Sequence, residues 1–192
     1  MRRRAILAFL LGIPIILSYA YVYRTWQAHG SDIVIQLAEY ADAIALPYRL
    51  ARLSSEPAPQ SLLLPVSGVR MLQVADTWGE ARSEGRNHEG TDIFAGRGTP
   101  VYAAARGFVL RAGENRLGGT IVFTAGAGGI GYYYAHLDRI ADGIRVGASV
   151  TTDTVLGYVG NTGNAAGTPP HLHFGMYTRE GPANPYPLLV DR

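Results

Sequence analysis

Cysteine and lysine are both absent from this sequence. The missing cysteine excludes disulfides, thiolate metal ligands and a cysteine nucleophile. Because lysine is missing, the 17 strongly basic residues are all arginines. With 15 acidic residues they give a formal net charge of +2. Arg2, Arg3 and Arg4 supply three of the positive charges, so the rest of the chain is close to neutral. It has no basic stripe of the kind that nucleic-acid binding requires, and we expect no nucleic-acid partner.

Charged residues are also few, at 17% of the chain, whereas 47% of the residues are hydrophobic. This composition is sufficient for a packed core, and 192 residues correspond to one ordinary domain with an appendage. The 24 glycines and 11 prolines favour many turns and short strands over a helical bundle.

Residues 5–23 form an apolar run that predicts a single membrane-spanning helix, because about twenty helical residues cross a bilayer core of about 30 Å. Three arginines before this run and Arg24 after it favour a cytoplasmic N-terminus, with the rest of the chain exported to the periplasmic or cell-wall side. The alternative is a signal peptide cleaved after Ala20, but the apolar residues continue beyond that site. We therefore expect residues 1–24 to anchor the chain in the cell membrane.

Residues 25–61 are predicted to hold a short amphipathic helix and a linker. Ser31 can cap the helix and Pro47 is expected to end it. Apolar positions recur along it at spacings of four, three and four, at Ile33, Leu37, Tyr40 and Ile44. This stripe is expected to pack against the domain or a partner helix, with a coiled-coil dimer as the alternative. A proline-containing linker follows over residues 54–61, and the domain is expected to occupy residues 62–192.

Short β-rich runs separated by glycine, asparagine or aspartate dominate the remainder of the chain. The clearest runs span residues 101–103, 107–110, 120–123, 131–135 and 155–159. No long helical pattern lies between them, so the fold is predicted to be mainly β, an antiparallel sheet or flattened barrel.

Two histidines, His171 and His173, stand two positions apart directly after two prolines. Pro170 disfavours helix at the residue before it, so the segment is expected to be extended. Side chains at positions i and i+2 of a strand share one face, which would place these two imidazoles side by side. Neutral imidazole is both a metal ligand and a proton carrier.

A second pair, His88 and Asp92, can converge with this one. Gly90 between them disfavours helix, and in a strand the side chains at i and i+4 point to the same side. One histidine of the 171/173 pair would complete a His-Asp-His set, although spacing does not choose between the two. Three such ligands leave a fourth tetrahedral position for water, as in catalytic zinc sites, and one zinc ion per chain is therefore predicted.

Three separated motifs resemble the M23 metallopeptidase family of the lysostaphin or LytM type. They are His88-x-x-x-Asp92, Tyr134-Ala135-His136-Leu137 and His171-Leu172-His173-Phe174, in the order that the family has them. Residues 98–103, residues 157–163 and the pair Asn184-Pro185 are also similar to the family pattern. The resemblance covers roughly residues 65–189 and implies a LytM-like fold.

The resemblance also implies roles for individual residues. His88, Asp92 and His173 match the zinc ligands of the family, whereas His136 and His171 match its two catalytic histidines. The implied activity is zinc-dependent hydrolysis of peptide bonds in peptidoglycan, and stem cross-links between a D-amino acid and a diamino acid are preferred here over glycine bridges.

Some positions depart from the family pattern, and they are expected at the rim of the substrate cleft. Gly175 stands where the family usually has glutamate, and Pro169-Pro170 replaces the common Gly-Pro. These departures bear on substrate preference rather than on the metal site. Two substrate contacts are predicted. Arg86 is expected to meet a substrate carboxylate, and Tyr134 is expected on the cleft floor unless it belongs to the core.

Two alternatives come from other functional classes. A non-catalytic relative that binds cell wall or activates an amidase is one, but such relatives typically lose zinc ligands and this chain keeps them all. A lipoyl-type or biotinyl-type carrier is the other, and it is excluded because that function needs a lysine. The expected partners are the peptidoglycan peptide, the lipid bilayer and a regulatory protein that controls access to the cleft.

Overall fold

The structure is a computed structural model that describes residues 45–82 and 85–192. The apolar run over residues 5–23 and the predicted helix start at Ser31 lie outside these residues. In the part of the chain that is described, no helix is both long enough and apolar enough to cross a membrane. The residues from Leu46 to Arg192 form one compact unit.

Residues 45–54 are helical, so the prediction that Pro47 ends the helix is wrong. A proline removes only its own N–H from the helical ladder, and residues after it still donate to carbonyls one turn back. The helix closes near Ser54 and Ser55, whose hydroxyls donate to the carbonyls of Ala51 and Arg52 at 2.9 and 2.7 Å.

The segment predicted as a linker packs against the strands that follow it. Glu56 forms an ion pair with Arg106. Gly128 lies so close to Ala58 that a Cβ added to the glycine would come within 2.7 Å of the alanine Cβ. Residues 55–61 thus belong to the compact unit, and a domain start at residue 62 stays a prediction.

Beyond the helix over residues 45–54, the described residues include eleven strands and four short 3-10 helices. The strands are β1 Leu62–Leu63, β2 Thr91–Phe94, β3 Pro100–Tyr102, β4 Gly107–Asn115, β5 Gly119–Gly126, β6 Gly131–Ile140, β7 Ser149–Val150, β8 Val155–Val159, β9 His171–Thr178, β10 Gly181–Ala183 and β11 Leu189–Val190. The 3-10 helices are Met71–Gln73, Ala127–Gly129, Gly163–Ala165 and Tyr186–Leu188. Each of the five predicted β-rich runs coincides with or overlaps a strand.

Nine of the described strands form one sheet in which every pairing is antiparallel. Its longest path runs β10-β9-β6-β5-β4-β7, while β2 pairs with β9, and β8 pairs with both β6 and β3. The remaining two described strands, β1 and β11, form a parallel pair. The prediction of a mainly β fold with an antiparallel sheet is confirmed. The barrel alternative is wrong, because β7 and β10 end the path without pairing with each other.

Strands β6 and β9 divide their side chains between two faces of the sheet. Tyr132 and Tyr134 on β6 are fully buried, and Tyr132 stacks on Phe174 of β9 with ring centroids 6.2 Å apart and an interplanar angle of 7°. Leu172 is fully buried on the same side. Because successive strand residues alternate in direction, Tyr133 and the odd-numbered residues of β9 face the opposite side. That opposite face carries the cleft described next.

Candidate metal centre and catalytic cleft

Strand register brings the predicted metal ligands together. Asp92 on β2 lies directly opposite His173 on β9, and Ala135 on β6 lies opposite the same histidine from the other side. His136 follows Ala135, and His171 shares a strand face with His173. Side chains directly opposite in an antiparallel pair have Cβ atoms about 5 Å apart, so three strands converge on one point.

Three donor atoms from His88, Asp92 and His173 meet at this point. His88 Nε2 lies 3.0 Å from Asp92 Oδ1 and 2.8 Å from His173 Nδ1, and Asp92 Oδ1 lies 3.1 Å from His173 Nδ1. Ligand bonds of about 2.0–2.1 Å in a tetrahedral zinc site separate the donors by roughly 3.4 Å. The set therefore needs to expand by only a few tenths of an ångström to hold one ion.

Neighbouring groups orient these donors. His88 Nδ1 donates to the Thr77 carbonyl at 2.7 Å, which leaves Nε2 with its lone pair toward the other donors. The Thr77 hydroxyl also accepts the Asp92 N–H at 3.2 Å. Arg82 Nη2 donates to Asp92 Oδ2 at 2.6 Å, so the other carboxylate oxygen, Oδ1, faces the histidines. Such outer contacts fix ligand tautomer and direction.

Gly90 has no side chain, and the His173 ring occupies the space that one would need. A Cβ at this position would lie 2.6 Å from His173 Cε1, 2.8 Å from His173 Nε2 and 2.8 Å from the Phe174 carbonyl oxygen. Any side chain at residue 90 would therefore displace the His173 ring or the β9 backbone.

His136 and His171 lie beside the metal donors with matching orientations. His136 Nδ1 donates to the Thr162 carbonyl, and His171 Nδ1 donates to the Pro169 carbonyl, each at 2.9 Å. Because a carbonyl only accepts, each neutral ring carries its proton on Nδ1 and keeps a lone pair on Nε2. The two rings lie 5.1 Å apart, and His171 Nε2 is 4.0 Å from Asp92 Oδ1.

The backbone at His136 is unusual, since among the described residues it is the one non-glycine with a positive φ, at 62°. The pairing of β5 with β6 also shifts register between Thr120 and Val122, opposite this residue. Both Ala135 and His136 line the cleft, so strand alternation is broken here. A bulge of this kind re-aims a side chain, and here it turns the His136 ring toward His171.

Electrostatics favour an ionised aspartate among neutral histidines. Burial acts to raise the pKa of Asp92, but its side-chain hydrogen bonds with His173 and His88 outweigh burial and hold the pKa well below its usual range. Burial, with the neighbouring His173 and His171, lowers the pKa of His136 to about 4. Burial also lowers the pKa of His173. At neutral pH, His136 and His173 are therefore uncharged and able to accept a proton or bind a cation.

The donors open into a cleft of about 890 Å³. Arg86 lines this cleft, as its predicted role requires, and so do Tyr133 and Tyr177. Tyr134 does not: its ring is fully buried and its hydroxyl accepts the Ala104 N–H at 2.9 Å. The prediction that Tyr134 contacts substrate is therefore wrong. Because side chains alternate along β6, Tyr133 points toward the cleft and Tyr134 points into the core. Gly175 packs beside Tyr133 and Tyr177, and a Cβ added to it would lie 3.3 Å from both Tyr177 Cε2 and the Glu89 carbonyl oxygen, so its neighbours leave little room for a side chain.

Sequence reasoning missed Thr77, Arg82 and Tyr133. Trp78 and Gly79 next to Thr77 give no hint of metal chemistry, and Arg82 is ten positions from the carboxylate that it contacts. Tyr133 was detectable, since it alternates with two tyrosines of the core.

A comparison with family models matches residues 86–185 to peptidase family M23. Among curated proteins, the L-Ala--D-Glu endopeptidase of Bacillus subtilis is 43% identical over 124 residues, which cover 59% of this chain and 38% of that enzyme. The DD-carboxypeptidase/endopeptidase Mpg of Neisseria meningitidis serogroup B is 33% identical over 135 residues, or 70% of this chain and 29% of that protein. The chain thus spans well under half the length of these relatives.

A solved structure shares the fold. The catalytic domain of the antimicrobial peptidase lysostaphin from Staphylococcus simulans matches 59% of this chain and 89% of its own, with a TM-score of 0.53 and 29% identity. The fold is therefore LytM-like, as the resemblance implied. The family match extends over more than half of the chain and takes in the three strands on which the histidines and the aspartate converge. By this measure the chain is a member of peptidase family M23.

Proposed function

We propose that this chain is a zinc-dependent endopeptidase that hydrolyses peptide bonds in peptidoglycan stem cross-links. The observation that carries this proposal is the convergence of His88, Asp92 and His173 donors within about hydrogen-bonding distance, at the base of an open cleft. Family membership supports the reaction class. The two curated relatives are named for different bonds, so the cross-link is our own assignment.

His88 Nε2, Asp92 Oδ1 and His173 Nδ1 would hold the ion. Bound zinc supplies a Lewis acid that polarises the scissile carbonyl and lowers the pKa of water toward ~7. Arg82 and Thr77 keep the aspartate and His88 directed toward that ion.

His136 and His171 perform the proton transfer in this proposal. In the neutral ring of each, the proton is on Nδ1, where a backbone carbonyl accepts it, so Nε2 presents its lone pair. One Nε2 accepts the proton of the attacking water. The same ring then gives that proton to the leaving amine, while the other ring, after binding a proton from solvent at Nε2, donates to the oxyanion that develops on the substrate carbonyl.

The decisive experiment measures bound zinc and released muropeptides for the purified full chain. We expect one zinc per chain and product release for the natural sequence, and loss of both for His173→Ala. His136→Ala is expected to retain zinc and to lose roughly 10²–10⁴-fold of turnover. His29→Ala, a histidine outside these motifs, is the matched control and should retain both properties.

A chain that binds no zinc and releases no muropeptide would end the proposal. Zinc binding with tight association to peptidoglycan but no product would favour the non-catalytic, wall-binding alternative.

We further propose that residues 5–23 anchor the domain to the exported face of the cell membrane. The apolar run and its flanking arginines support this location. Intact mass of the membrane-fraction protein tests it, and a mass lacking residues 1–20 would contradict it. A regulatory partner is proposed as well, and crosslinking in membranes that yields only uncrosslinked monomer would count against one.

A further inference from the structure

One wall of the cleft is the end of the β4–β5 hairpin. The hairpin residues that line the cleft are Arg111, Asn115, Arg116, Leu117 and Gly118. Two of these five are arginines, and nothing in the reaction described above uses them.

The hairpin end is held rigidly against the catalytic residues. Asn115 Oδ1 accepts the N–H groups of Leu117 and Gly118 at 3.1 and 2.6 Å, and its Nδ2 donates to the Tyr133 hydroxyl at 2.9 Å. The Gly118 carbonyl accepts the His136 N–H at 2.8 Å. A side chain at residue 116 is therefore carried by a backbone whose neighbours on both sides are fixed to the site.

Arg111 lies midway along β4 and Arg116 lies in the turn after it, and both line the cleft. Arg111 Nη2 donates to the Glu114 carbonyl at 3.0 Å, so its guanidinium reaches along the strand toward the turn that holds Arg116. Both side chains are exposed, and a single carbonyl occupies only one of the five N–H donors that Arg111 has.

The cleft carries an excess of positive charge. Among the described residues that line it, four are arginines and two, Glu89 and Asp92, are acidic. Arg82 already contacts Asp92 at 2.6 Å, and that carboxylate is assigned to the metal. Of the other three arginines, Arg111 and Arg116 are the two that the β4–β5 hairpin carries together.

We propose that Arg111 and Arg116 form a subsite for a free carboxylate of the peptide substrate. Guanidinium groups bind carboxylates through paired, charge-assisted hydrogen bonds, and a rigid support lowers the entropy lost on binding. The subsite selects acidic stem peptides over neutral glycine bridges or amidated stems. This inference rests on the proposed function, since it names the substrate on which that activity operates.

The experiment compares two stem-peptide cross-links of the same sequence. In one, the side-chain and α-carboxylates are free, and in the other they are amidated. Cleavage rates are measured with hydrolysable peptides, and affinities are measured with ketomethylene isosteres that cannot be cut. The full, metal-loaded chain is tested beside Arg116→Gln, Arg111→Gln, their double variant and Arg116→Lys. Arg145→Gln, which removes the same charge from an exposed residue outside the cleft lining, is the control.

We expect the natural chain and Arg145→Gln to bind the free-carboxylate peptide roughly 10- to 100-fold more tightly than the amidated one. The double variant should bind both peptides about equally, and Arg116→Lys should keep part of the preference because charge remains without the paired donors. Affinity for the amidated peptide should not change in any variant, which shows that the cleft is intact.

The subsite would be contradicted if the natural chain bound both peptides equally or bound neither. It would also be contradicted if the preference persisted in the double variant. Retained binding preference without cleavage of any peptide would instead overturn the proposed endopeptidase activity. The two failures are therefore distinguishable.

Discussion

At the scale of single residues, Arg82 is a positioning residue for the candidate metal centre. Its Nη2 donates to Asp92 Oδ2 at 2.6 Å, so Oδ1 is the oxygen that faces His88 and His173. Outer contacts of this type typically change metal affinity about 10- to 100-fold. We expect Arg82→Gln to weaken zinc binding by that factor in a chelator competition.

Arg82→Lys provides a discriminating comparison. A lysine can retain the charge but offers no fixed fork of donors, so it should restore only part of the zinc affinity. Arg145→Gln should leave it unchanged. Unaltered zinc affinity in Arg82→Gln would show that Asp92 does not depend on this contact.

His136 should make the stability of the metal-free protein depend on pH. Burial and the neighbouring histidines lower the pKa of His136 to about 4, from an ordinary value of 6.5. Between these values the unfolded chain binds more protons than the folded one, so the free energy of unfolding falls as the pH is lowered from 6.5 to 4. The contribution is fully present above pH 6.5, and it amounts to about 3 kcal/mol at most, at about 1.4 kcal/mol per pKa unit.

Urea unfolding at several pH values measures this effect. The slope of unfolding free energy against pH should be shallower in His136→Gln than in the natural chain between pH 4 and 6.5. His29→Gln is the control and should keep the natural slope. Identical slopes for His136→Gln and the natural chain would contradict the lowered pKa.

At the scale of secondary-structure elements, the approach of the loop before β2 to strand β9 determines whether the ligands can meet. Gly90 contacts the His173 ring so closely that a Cβ would lie 2.6 Å from Cε1. Gly90→Ala should therefore displace His173, reduce zinc affinity at least about tenfold and destabilise the fold by about 1–3 kcal/mol, as overpacking does. Chelator competition and urea unfolding measure the two effects.

Gly96→Ala is the matched control for this substitution. Its Cβ would meet nothing closer than the Thr99 hydroxyl oxygen, at 3.9 Å. It should leave zinc affinity unchanged. If Gly90→Ala behaved in the same way, the close approach of residue 90 to the ring would be refuted.

At the scale of the whole molecule, Arg192 forms hydrogen bonds that connect the segment after β11 to residues near β1. Its guanidinium donates to the carbonyls of Leu64, Thr152 and Ala103, at 3.3, 2.6 and 3.2 Å, and lies 4.4 Å from the centroid of the Tyr102 ring. The parallel pairing of β1 with β11 lies beside it. These contacts join segments that are far apart in sequence.

Arg192→Ala should lower the free energy of unfolding by about 1–3 kcal/mol, because hydrogen bonds from a charged donor are among the stronger ones. Zinc affinity should be unchanged, since Arg192 does not line the cleft. Urea unfolding compares this variant with Arg145→Ala, an exposed arginine whose loss should cost little. Equal stability of the two variants would contradict a stabilising role for these hydrogen bonds.

Local patterns in the sequence determined the class of the fold and the chemical character of the site. Short β-rich runs between turn residues predicted the strands, and they did so because alternation and turn chemistry depend on near neighbours alone. The same holds for the motifs around His88, His136 and His171, which indicated the M23 family without any knowledge of distances.

Only the tertiary structure decided which groups support that site and which way they point. Arg82 reaches Asp92, and Tyr133 rather than Tyr134 faces the cleft, because register and packing between distant strands set these contacts. The positive φ at His136, which breaks the side-chain alternation of β6, has the same cause. Packing against the rest of the domain overrides the local preference of a single residue, and no pattern of neighbours along the chain encodes it.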